Sequence, residues 1–64
     1  MLKILQELTL LIVEDDAQMR ENLKEIMGHF FKRIVTAGSG QEGLKAYESG
    51  MIDIIFSDYE MPFM

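Results

Sequence analysis

Two nearly continuous apolar runs, each halting on acid, constrain this chain more than any other feature. Leu8-Thr9-Leu10-Leu11-Ile12-Val13 runs into Glu14-Asp15-Asp16, and Ile52-Asp53-Ile54-Ile55-Phe56-Ser57 runs into Asp58, with a proline-held loop behind it at Tyr59-Glu60-Met61-Pro62. Continuous rather than alternating hydrophobicity over so short a length suits a strand covered on both faces, as in a parallel sheet. Periodicity alone leaves a short buried helix open for the first run, and its length favours a strand. A strand that ends on an acid delivers a carboxylate to the rim of a sheet, where open α/β folds hold their ligands.

Between the two runs the period changes. Met19, Leu23, Ile26, Met27 and Phe30 fall on one stripe of a helix beginning at Ala17, with Asp16 as N-cap and Arg20, Glu21, Lys24 and Glu25 on the outer face. Gly28 lies within this pattern and weakens the last turn, and the stripe carries the helix to Phe30 or Phe31. Arg33-Ile34-Val35-Thr36-Ala37 is short and β-branched, a second strand. Ser39-Gly40-Gln41-Glu42 matches a capping box, the helix behind it carries Leu44, Ala46 and Tyr47, and Gly50 is the C′ stop. The order β-α-β-α-β implies parallel strands joined by right-handed crossovers. All strand C-termini then lie on one edge, so Glu14, Asp15 and Asp58 are expected to converge.

Size and charge limit what such a rim can serve. The 64 residues make one domain, and a chain this short buries only about 60% of its unfolded surface. There is no Cys for a disulfide, and a single His rules out the usual Cys/His zinc patterns, so the chain suits a reducing cytoplasm. A net charge of −5 with no basic stripe argues against nucleic acid as a direct partner. Residues 1–7 lack the apolar core and cleavage site of a signal peptide and read as a lead-in or linker. No run approaches the roughly 18 apolar residues of a membrane span. His29 reads as a helix-end surface residue, and the six Met as core filling and termini.

Three carboxylates at one rim repel one another unless a cation sits among them. A few carboxylate oxygens, water and phosphate suit Mg²⁺, which prefers few protein ligands. In isolation, Asp15 and Asp16 would serve only the dipole of the helix they precede. A third acid arriving from another strand favours the metal.

The run Leu11-Ile12-Val13-Glu14-Asp15-Asp16, the segment Ala37…Gly40…Glu42…Leu44, and Ser57-Asp58-Tyr59-Glu60-Met61-Pro62 together resemble the receiver domain of two-component response regulators. The resemblance covers nearly everything from Leu8 to Met64. It implies a flavodoxin-like, doubly wound parallel sheet, represented here by its N-terminal half, residues 8–64, with strand order 2-1-3. It further implies that Asp58 is the phosphoacceptor, taking a phosphoryl group from a histidine kinase or phosphotransfer protein. Asp15 would then bind Mg²⁺ with Asp58 and the backbone carbonyl of Glu60, and Glu14 would assist through a metal-bound water. Such a domain is a signalling module rather than an enzyme.

Receivers run to roughly twice this length, and their order 2-1-3-4-5 needs two further strands. The hydroxyl residue after the fourth strand and the Lys after the fifth have no counterpart before Met64, so impaired phosphoryl acceptance is expected. The third strand becomes an exposed apolar edge, which invites a homodimer through strand addition. Two rivals remain. Gly38-Ser39-Gly40-Gln41-Glu42-Gly43 is a literal G-x-G-x-x-G after a strand, which would make the chain a dinucleotide-binding fragment of an oxidoreductase. A purely structural or assembly fragment is the other.

Overall fold

The first apolar run forms the central strand of the sheet. In the computed structural model, which describes residues 6–57, β1 (Thr9–Val13) lies between β2 (Arg33–Ala37) and β3 (Ile54–Ser57), and both pairings are parallel. Two helices, α1 (Ala17–Met27) and α2 (Gly40–Glu48), complete the expected β-α-β-α-β order. The chain leaves β1 for β2 on one side and returns past β1 to β3 on the other. That reversal is the topological switch at which doubly wound sheets open a crevice above their strand ends.

Every residue of β1 is buried, which explains its unbroken hydrophobicity. Leu11 and Val13 form a core with Ala37, and Ala46 of α2, Ile52 and Ile55 pack against it. Alternation turns Leu10 and Ile12 to the opposite face, and both are buried. Each such side chain contributes about 1.5–3 kcal/mol through burial. α2 lies very close to the sheet. A Cβ placed on Gly43 would stand 2.8 Å from Val13 Cγ2, so the helix approaches nearer than alanine would allow.

Two boundaries differ from the sequence expectation. α1 ends at Met27, one turn before Phe30, with Gly28 as its C-cap. Beyond it two bonds tighten to i→i−3, with His29 N–H donating to Ile26 O at 3.2 Å and Phe30 N–H to Met27 O at 2.9 Å, and Phe31 N–H closes the turn on the same Met27 O at 2.9 Å. The apolar stripe is accordingly only partly covered: Ile26 is 54% exposed and Phe30 43%. β3 begins at Ile54 rather than Ile52. Asp53 N–H donates to Thr9 O at 2.9 Å, and its carboxylate Oδ2 accepts Thr9 N–H at 2.9 Å, so a side chain occupies the ladder position where the strand would have started. The stop after α2 is as expected, with Gly50 at φ +82°, a left-handed conformation that favours glycine.

Candidate functional site

The register brings the three strands to one level. Val13 is paired with Ala37 on one side and with Ser57 on the other. Glu14 follows Val13 directly. Its N–H donates to Ala37 O at 3.0 Å, its Oε2 accepts Asp16 N–H at 3.1 Å, and it is only 6% exposed. Asp16 has the extended backbone of an N-cap, and its Oδ2 accepts Met19 N–H at 2.8 Å, as expected. Arg20, one turn into α1, donates from Nη1 to the Glu14 carbonyl at 2.8 Å. The loop is thus held at both ends. Asp15 lies between them, exposed, and among the described residues its side chain makes no hydrogen bond or ion pair.

Of the four expected site residues, Glu14 and Asp15 stand side by side at the end of β1. Asp58 and Glu60 lie outside the described residues, although Ser57, the residue before Asp58, is registered directly against Val13. Among the described residues no group of three or more His, Cys, Asp or Glu converges. The donors that are present are carboxylate oxygens, the hard ligands Mg²⁺ takes, and one is already exposed and unengaged. The residues therefore fit that ion. A surface depression along α1 and its C-terminal turn, lined by Gln18, Asn22, Glu25 and His29 among others, includes neither acid.

Two residues at work here were not singled out by the sequence pattern. Asp53 fixes where β3 meets β1. Arg20, expected on the outer face of its helix, instead reaches back over the acid loop. Its position four residues after the N-cap, one turn above it, is the sequence signal that points there.

The glycine-rich turn before α2 does different work from a dinucleotide fingerprint. In such a site the backbone N–H groups point at a pyrophosphate. Here Gly38 N–H donates to Glu42 Oε1 at 2.7 Å and Glu42 N–H to Ser39 Oγ at 3.2 Å, so the chain's own side chains take those donors and a carboxylate sits among them. The third glycine, Gly43, serves the close packing on Val13.

The model of the response regulator receiver domain matches residues 10–64. The chain belongs to the receiver family. That match runs from β1 through the glycine turn and on to the segment containing Asp58. The receiver is also 31% identical over 64 residues to a protein from Rhizobium etli named probable chemotaxis protein CheY, an alignment covering 98% of this chain and 50% of that protein. The receiver chain thus spans about half the length of the curated relative it matches. Among its described residues, no helix is long and apolar enough to cross a membrane.

Proposed function

We propose that this receiver accepts a phosphoryl group on Asp58 from a phosphohistidine of a histidine kinase or phosphotransfer protein in a two-component phosphorelay. Asp15 and Asp58, with the carbonyl of Glu60, would hold Mg²⁺, and Glu14 would assist. The observation that supports this reading is the parallel register of Val13 with Ser57, which ends β1 and β3, the strands that precede Glu14 and Asp58 in the sequence, at one level of the sheet. Receiver membership and the exposed Asp15 carboxylate support it. The same reading makes residues 1–7 a lead-in, residues 8–64 the N-terminal half of the domain, and the setting cytoplasmic, with which the absence of Cys accords.

In the transfer, an Asp58 carboxylate oxygen forms the bond to phosphorus as the phosphorus–nitrogen bond breaks, and the electron pair of that bond returns to the partner's imidazole. Bound Mg²⁺ supplies positive charge to the phosphoryl oxygens, the principal catalytic need of phosphoryl transfer. The chain's part is to hold two acids at fixed separation before the donor arrives. The test is incubation with acetyl phosphate with and without Mg²⁺, read by mass spectrometry. A slowly formed, Mg²⁺-dependent label that Asp58→Asn abolishes is expected. A label surviving that substitution, or none at saturating donor, overturns the assignment.

The partner class extends to a second copy of the chain. β3 pairs with β1 and is the end strand of the described order β2-β1-β3, and its Ile54, Ile55 and Phe56 are apolar and half-buried. We therefore propose a homodimer through β3, the sheet running across two copies. Light scattering over a concentration series would show mass rising toward twice that of the monomer, and a constant monomer mass would exclude it.

A further inference from the structure

One side chain from α1 joins the two turns that form the rim. Arg20 is half-buried, and its Nη1 donates to the Glu14 carbonyl at 2.8 Å. That carbonyl belongs to the planar Glu14–Asp15 peptide unit, so fixing it fixes the plane from which Asp15 departs. The guanidinium also lies over Gly38 in the β2–α2 turn: a Cβ there would stand 3.2 Å from Nη1 and 3.8 Å from Cζ. Gly38 is itself held, through its N–H on Glu42 Oε1. The fork is therefore wedged between one loop that carries the acids and another that is tied down by its own side chain.

We propose that Arg20 is a positioning residue for the metal-binding acids, clamping the Glu14–Asp15 peptide against the β2–α2 turn so that Asp15 meets Mg²⁺ in a fixed place. This rests on the Mg²⁺ reading of the proposed function. A cation at the rim that acted by charge alone would repel Mg²⁺, and its removal would tighten binding. A clamp predicts the opposite sign. Groups that orient a metal ligand without touching the metal change affinity by on the order of tenfold or more when removed.

The experiment is a Mg²⁺ titration of the chain and of Arg20→Gln, followed by the amide resonances of Asp15 and Asp16. Arg20→Gln is expected to raise the Mg²⁺ dissociation constant on the order of tenfold while the spectrum stays that of a folded chain. Arg20→Lys, which keeps the charge and loses the planar fork, is expected to weaken binding as well. Affinity unchanged or tightened in Arg20→Gln overturns the proposal. Should that variant unfold, Gly38→Ala crowds the guanidinium, with its new Cβ 3.2 Å from Nη1, without touching Glu14 or Asp15, and unaltered affinity there overturns it equally. A parent chain giving no Mg²⁺-dependent shifts refutes the metal reading instead. The clamp is then judged on metal-free exchange of the Asp15 amide: acceleration in Arg20→Gln supports it, and an unchanged rate overturns it.

Discussion

The two strand-to-helix turns at the rim are built alike and end differently. Each enters its helix through a cap whose oxygen accepts an N–H three residues on, Asp16 from Met19 and Ser39 from Glu42. In the second turn the acid is absorbed, because Glu42 folds back onto the Gly38 N–H. In the first, Glu14 is engaged by Asp16 N–H and its carbonyl by Arg20, but Asp15 is left facing solvent. Of the two turns, only the first keeps a carboxylate exposed after its own capping is satisfied, and that is the one the proposed site uses. The strands beneath differ in parallel: β1 is buried throughout, whereas β2 is exposed except at Ala37 and half-buried Ile34.

The largest test of that contrast is a pair of truncations. Leu11→Ala in β1 removes a fully buried side chain and should cost about 2–5 kcal/mol. Val35, its partner in the β2 register, is 38% exposed, and Val35→Ala should cost less than about 1 kcal/mol. Urea unfolding reads both. A domain of this size holds about 3–5 kcal/mol in all, so the first variant is expected to be unfolded in buffer. Equal losses would mean that the sheet has no distinct centre. Next comes Gly43→Ala, where the new methyl meets Val13 Cγ2 at 2.8 Å and forces α2 away from β1. A loss of about 1–3 kcal/mol is expected, as for other overpacked sites, and a stabilised variant would show that α2 can lift freely.

The parallel sheet and both caps were legible because each rests on a local pattern, whereas the strand order came from the receiver resemblance. The unbroken run of β1 announces burial on both faces, and Ser39 with Glu42 announces a helix start. The glycine turn was legible only as an ambiguity. G-x-G-x-x-G has the same letters whether its N–H groups await a phosphate or are already taken, and the choice is made by where the Glu42 side chain folds. The end of α1 was misjudged for a related reason. A stripe records which residues could share a face, whereas the helix stops at Gly28, where a low-propensity residue meets a face too little covered to carry it further. Asp53 was hidden because its partner, Thr9, is distant in sequence, and Arg20 because it meets a backbone carbonyl and the open space over Gly38 rather than a complementary side chain.

The caps separate stability from function at a smaller scale. Asp16→Ala and Ser39→Ala each remove one cap bond and should each cost about 1 kcal/mol by urea unfolding. Their effects on Mg²⁺ should diverge. The Asp16 N–H also holds Glu14 Oε2, so loosening that residue frees the acid loop and weakens binding, while the Ser39 change leaves it intact. Matching Mg²⁺ affinities in the two variants would erase the distinction between the turns.

Asp15→Asn should change stability least. No hydrogen bond or ion pair among the described residues is lost, so the effect stays within about 0.5 kcal/mol, as at other exposed positions. Its sign follows from charge. Without metal, Asp15 sits between Glu14 and Asp16 in a chain of net charge −5, and neutralising it relieves repulsion, so the metal-free chain should unfold at slightly higher urea. Adding Mg²⁺ should reverse the ranking, because a ligand that binds only the folded state stabilises the parent in proportion to its occupancy and leaves the variant behind. The crossing of the two stability curves with Mg²⁺ concentration is the measurement. Curves that never cross would show that the carboxylate left free by the first turn is solvated surface, no different in kind from those the second turn has put to use.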